Sequence, residues 1–128
     1  MSQALSEQEI ERRKPVWLAM SALFLDTEIS SHDYQHIARA ITAQGYTASE
    51  ARVILCDEVF PALVSNLLSV AGEWAGFPEE FVWARVLEQR SRVIRPLAVT
   101  AQILGIKKSL LRDNWPKIQA LLADRTSL

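Results

Sequence analysis

Tyr34-Gln35-His36-Ile37-Ala38-Arg39-Ala40-Ile41-Thr42-Ala43-Gln44-Gly45-Tyr46-Thr47-Ala48-Ser49-Glu50 decides the fold class of this chain. Tyr34, Ile37, Ala38 and Ile41 fall at i, i+3, i+4 and i+7, the spacing of one buried helix face and not the alternation of a strand. Gly45 supplies a left-handed stop, because glycine enters that region without a Cβ penalty. Thr47-Ala48-Ser49-Glu50 is a capping box, in which the hydroxyl accepts from an exposed amide at a helix start and the glutamate reaches back. One helix therefore ends and the next begins within a single short stretch.

Working toward the N-terminus, Asp26 to Asp33 is a polar break, and Ser6-Gln8 lies in a second capping box, Ser6-Glu7-Gln8-Glu9. The helix it opens buries Ile10, Trp17, Met20, Leu23 and Phe24, and Pro15 is expected to kink or restart it. Toward the C-terminus the helix begun at Thr47 is expected to run to about Phe60, where Pro61 ends or bends it, with a short continuation to Leu68. Ser69 to Phe77, two glycines four apart around Trp74, reads as a compact connection. Pro78 opens a helix whose stripe is Val82, Trp83, Val86, Leu87, Val93 and Ile94, with Arg85, Glu88, Arg92 and Arg95 opposite. Pro96 interrupts it, a shorter helix over Ala98 to Leu104 stops at Gly105, and a last one spans Trp115 to Asp124 with Ile118, Leu121 and Leu122 inward. No alternating run or hairpin turn survives, so the reading is all-α: residues 1–128 as one domain, a single compact bundle of six or seven short helices.

Composition agrees. At 128 residues the length suits one domain, and 49% apolar with 23% charged residues is ordinary for a soluble globular protein and unlike a disordered one. Only four glycines and five prolines argue against a loop-rich or sandwich fold. The single Cys56, in Val53-Ile54-Leu55-Cys56, cannot form an internal disulfide and reads as a small buried filler. Arg12-Arg13-Lys14 before the apolar Val16 to Leu25 imitates an export signal. Glu7, Glu9 and Glu11 crowd its basic side, no small-x-small cleavage site precedes Asp26, and the apolar run is too short to span a bilayer. The expectation is a buried first helix in a cytoplasmic protein with no membrane association.

Charge is sorted along the chain. From Asp26 to Glu80 nine acids face two bases, a local balance of −7, whereas from Phe81 onward nine bases face three acids, a balance of +6. Such polarity steers encounters with charged partners. Asp26, Glu28, Asp33, Asp57, Glu73, Glu79 and Glu80 are the candidate acids of a binding surface, and Trp74, in its glycine-flanked connection, is the candidate aromatic anchor. Glu79 and Glu80 also complement the helix dipole just after Pro78. Glu58, flanked by Val59 and Phe60, reads differently, as a partly buried carboxylate in a structural ion pair with an arginine.

The rival chemistries find less support. His32 and His36 lie four apart beside Asp33, but a zinc site needs three or four ligands and no His-Glu-x-x-His pattern occurs. No cofactor or metal is expected. Neither Asp57-Glu58 nor Glu79-Glu80 forms a shared-proton pair, since helix neighbours point about 100° apart. Arg85, Arg92, Arg95, Lys107 and Lys108 could meet nucleic acid, yet a pI near 6.1 is not that of a phosphate-tracking protein. Phosphate-loop, dinucleotide, serine-elbow and kinase signatures are all absent, and the chain is not expected to be an enzyme.

Three blocks, Arg12-Arg13-Lys14-Pro15-Val16-Trp17, Leu23-Phe24-Leu25-Asp26-Thr27-Glu28 and Asn66 to Phe77, resemble a family of small all-helical bacterial proteins without known enzymatic activity. In size and helical character the chain is also similar to the immunity proteins of contact-dependent growth inhibition systems. That resemblance implies a cytoplasmic inhibitor that binds the C-terminal nuclease domain of a delivered toxin. An acidic helical surface suits the basic cleft of such a domain. A non-toxin adaptor using the same surface is the alternative.

Overall fold

The computed structural model describes residues 5–25, 28–68, 76–90 and 100–126. Every regular element among them is helical, so the chain is all-α: α1 (Glu7–Met20), α2 (Ser31–Ala43), α3 (Ala48–Ile54), α4 (Phe60–Leu68), α5 (Glu79–Arg90), α6 (Thr100–Ser109) and α7 (Trp115–Thr126). These seven segments make five continuous helices, fewer than the six or seven separate ones expected. α3 passes into α4 through a π turn over Leu55–Val59, and α6 into α7 through another over Leu110–Asn114.

Both fusions have one cause. Pro61 and Pro116 each stand two residues beyond a π turn. In regular α geometry a proline lacks its amide donor and presses its ring on the carbonyl four residues back, here that of Asp57 or Arg112. The chain widens by one residue instead: Phe60 donates to the Leu55 carbonyl and Trp115 to the Leu110 carbonyl. At Pro61, where the helix was expected to end or bend, the proline is thus absorbed within a continuous helix. Pro15 does not restart α1 either, since it and Glu11, whose carbonyl loses a donor, face solvent and water can replace it. α6 likewise runs through Gly105, whose φ is not positive and whose cost in a helix interior is about 1 kcal/mol.

The local start and stop signals are realised. Thr47 Oγ1 accepts from the Glu50 amide and Glu50 returns to the Thr47 amide at 2.9 Å. Ser30 and Asp33 close a further capping box at the start of α2. Gly45 has φ +75°, the Gly45 amide donates to the Thr42 carbonyl and Tyr46 to Ile41, a Schellman stop. At the start of α1 only half the expected box forms: Ser6 caps the Glu9 amide, but the Glu9 carboxylate serves Arg12, Arg13 and Tyr46.

Tyr34, Ile37, Ala38 and Ile41 of α2 are buried with Val16, Trp17 and Met20 of α1, Ile54, Leu55 and Leu63 of the α3–α4 helix, and Ile118 of α7. Arg12 of α1 donates to the Gln44 carbonyl after α2, which sets the two helices antiparallel. Phe24 meets Phe60 edge to face at 5.9 Å, and Asn66 Nδ2 donates to the Phe24 carbonyl at 2.7 Å, so α1 and the α3–α4 helix run in one direction. Arg85 reaches the Ala62 carbonyl at 3.3 Å, holding α5 against α4, and Lys14 of α1 lies 4.6 Å from the Trp83 ring. Val82 and Val86 of the α5 stripe are buried, Trp83 is half-buried, and Leu87, expected inside, is 38% exposed. Val93 and Ile94 lie outside the described residues.

Candidate functional site

Glu58 is the one buried charged side chain among the described residues, 3% exposed. Its Oε1 accepts from Trp17 Nε1 at 2.8 Å and its Oε2 from the Arg13 guanidinium. Arg13 Nε also donates to Glu9 Oε2 at 2.7 Å, and the Tyr46 hydroxyl donates to that oxygen at 2.6 Å. Arg12 donates to Glu9 Oε1 and lies 4.0 Å above the Tyr46 ring. Two arginines and two glutamates therefore balance in one network joining α1, the α2–α3 connection and the first π turn. The expected ion pair of Glu58 with an arginine is present.

Titration follows from this geometry. Burial acts to raise the Glu9 pKa, but hydrogen bonds from Tyr46, Arg13 and Arg12 outweigh it and hold the carboxyl below its ordinary value. Burial opposes the Arg13 charge, yet Glu9 and Glu58 together push its pKa up. Burial, then the bond to Glu9, pushes the Tyr46 hydroxyl up to about 12. The cluster is a brace that ties α1 to the α2–α3 connection and the first π turn.

The exposed acids form the better candidate. Glu28, Glu79 and Glu80 stand in solvent, and among the described residues none of them is ion-paired. Glu79 and Glu80 stand side by side in the first turn of α5, while Glu28 and the Asp33 cap lie around the start of α2. Asp33 is already engaged, accepting from the Ser30 amide at 2.9 Å. Asp57, exposed and also unpaired, stands apart on the first π turn beside Arg52 and Val53, about 13 Å along the helix from Asn66. Asp26, Glu73 and Trp74 lie outside the described residues.

Sequence reasoning missed Phe81. It is 45% exposed and stacked on Phe77 at 5.6 Å with ring planes 11° apart, directly after Glu79 and Glu80. The signal was there in two phenylalanines one helical turn apart straddling Pro78 and the acidic doublet. Phe81, Ala84 and Leu87 continue as an exposed row along α5, spaced by three. The start of α5 thus joins two exposed carboxylates to an exposed aromatic ring.

Other candidates are placed as follows. His32 and His36 are both exposed, and no three His, Cys, Asp or Glu side chains among the described residues gather as metal ligands. Cys56 is half-buried and not the buried filler expected, because it faces a hollow; burial still pushes its thiol pKa up. Arg85 is committed to Glu88 and the Ala62 carbonyl, and Lys107 lies over the Phe60 ring. Arg92 and Arg95 lie outside the described residues. No helix among the described residues is long and apolar enough to cross a membrane.

Residues 11–121 match a family described as a domain of unknown function, DUF7079. No curated protein and no solved structure matches the chain.

Proposed function

The chain belongs to the DUF7079 family, and from that premise we propose that it is an immunity protein, a cytoplasmic module that binds and neutralises the basic nuclease domain of a toxin. The observation that carries the reading is the start of α5, where Glu79 and Glu80 are exposed, without an ion pair among the described residues, beside the exposed Phe81 stacked on Phe77. Exposed carboxylates without such a partner keep their field for a visitor. A nuclease cleft built for phosphate is positive, so the acids steer the encounter and Phe81 supplies the buried contact that slows dissociation. The protein then acts by occupying a surface, with no chemistry of its own. The resemblance to immunity proteins names the toxin, while the charge argument alone requires only a basic protein.

The test starts from the gene immediately upstream: where it encodes a large exported protein, that protein's C-terminal domain is the ligand. Titration calorimetry at low ionic strength is expected to show tight binding that Glu79→Lys with Glu80→Lys weakens at least about tenfold, a gap that narrows as salt rises. Unchanged affinity and salt dependence in that variant would remove the acidic-surface mechanism. Binding without rescue of cells expressing the domain would favour the adaptor reading.

A further inference from the structure

A second surface lies on the α3–α4 helix, around the start of its π turn. Val53 and Leu104, 55% and 50% exposed, are the most exposed large apolar side chains among the described residues. Val53 borders a hollow of about 310 Å³ together with Ser49, Arg52, Cys56 and Asp57. Lys107, one turn after Leu104, lies 5.8 Å from the Phe60 ring and close enough to Cys56 to act on its thiol electrostatically. The Lys107 side chain of α6 thus reaches the end of the first π turn. Arg52 and Asp57 carry opposite charges on one rim, yet among the described residues they pair neither with each other nor with any other group.

We infer that this face binds a second copy of the chain about a two-fold axis. A two-fold contact pairs residue i with j and j with i, so charges on a surface that fits itself must meet opposite charges of the same surface. Arg52 and Asp57 on this rim allow that, with Val53 between them. Rotation about an axis through the hollow sets Arg52 of each copy against Asp57 of the other, covers Val53, and brings the two Cys56 thiols near the axis. The inference is independent of the toxin: the two surfaces lie at different places and use different residues.

Sedimentation velocity over a concentration series, with circular dichroism confirming the fold of each variant, tests it. The full chain is expected to dimerise reversibly. Arg52→Asp and Asp57→Arg should each weaken association about tenfold, since each breaks two symmetry-related pairs at once. The combined exchange should restore it to within about threefold. A short bismaleimide should link the dimer through Cys56 and leave a Cys56→Ser dimer unlinked. A chain that stays monomeric at every concentration overturns the inference, as does a dimer indifferent to both single changes, not recovered by the exchange, or not linked through Cys56.

Discussion

At the scale of single residues, Glu58 shows what could be read early and what could not. A carboxylate between Val59 and Phe60 in an apolar run has to be buried with a cation, because an unpaired buried charge is too costly. Its partner could not be named from spacing: the bases are densest in the last third of the chain, but the pair forms with Arg13, 45 residues earlier. Breaking a buried pair by removing one member costs about 3–5 kcal/mol, whereas replacing both by apolar groups is often neutral. Glu58→Leu is therefore expected to lower stability strongly, and Arg13→Leu combined with it to recover much of the loss, as read by urea unfolding. Tyr46 provides a pH test with a defined sign. Its hydroxyl pKa is raised from 10.0 to about 12 by folding, so the folded state holds its proton more tightly than the unfolded state. That stability is fully present below pH 10 and is lost as pH rises toward 12. Tyr46→Phe should cost about 1.5–3 kcal/mol at neutral pH, the range for a hydrogen bond to a charged group. The difference between the two proteins should shrink across that alkaline window.

At the scale of elements, the legible features were those whose hydrogen bonds close within a few residues. The capping box at Thr47, the Gly45 stop and the buried face of α2 are all of that kind. Gly45→Ala checks the stop: its φ of +75° penalises any Cβ, while the nearest atom, Arg12 Nη2 at 3.5 Å, is only in ordinary contact. The expected loss is about 1–2 kcal/mol, all of it backbone strain. The features not resolved by sequence were Pro15, read as a kink or restart, Pro61, read as an end or a bend, and Gly105, read as a stop. A proline removes one hydrogen bond and crowds one carbonyl, but whether the chain then breaks or widens depends on the tertiary contacts on either side. Here Leu55, Val59, Phe60 and Leu63 are all buried, and continuing the helix keeps them in the core. Since the π turn has already relieved the clash, Pro61→Ala should change stability by less than about 1 kcal/mol, far from the roughly 3 kcal/mol that a proline costs inside an unadapted helix. A large stabilisation in thermal unfolding would mean that the π turn does not accommodate the proline.

At the scale of the whole molecule, the charge sorting along the chain survives folding as a separation of surfaces, though not as one acidic patch. Several bases pair with near neighbours: Arg12 and Arg13 with Glu9, Lys14 with Glu11, Arg85 with Glu88, and Arg112 with Asp113. Among the described residues Glu28, Glu79 and Glu80 have no such partner. Composition could announce the acidic excess, but not that Asp57 would stand on a different element beside Arg52. Nor could it show that Phe81 and Leu87 face outward, because a helix stripe gives a direction only relative to its neighbours. The separation makes the two surfaces independently testable. Residues farther apart than about 7–10 Å with no shared partners contribute additively. Glu79→Lys with Glu80→Lys and Phe81→Ala should each weaken binding of the basic partner, the latter by about 2 kcal/mol if Phe81 is the anchor, and leave the monomer–dimer constant unchanged. Arg52→Asp should do the reverse. Measured in one set of titration and sedimentation experiments, the combined variant should show both losses at their single-variant sizes; coupling between them would mean that partner and second copy compete for one surface.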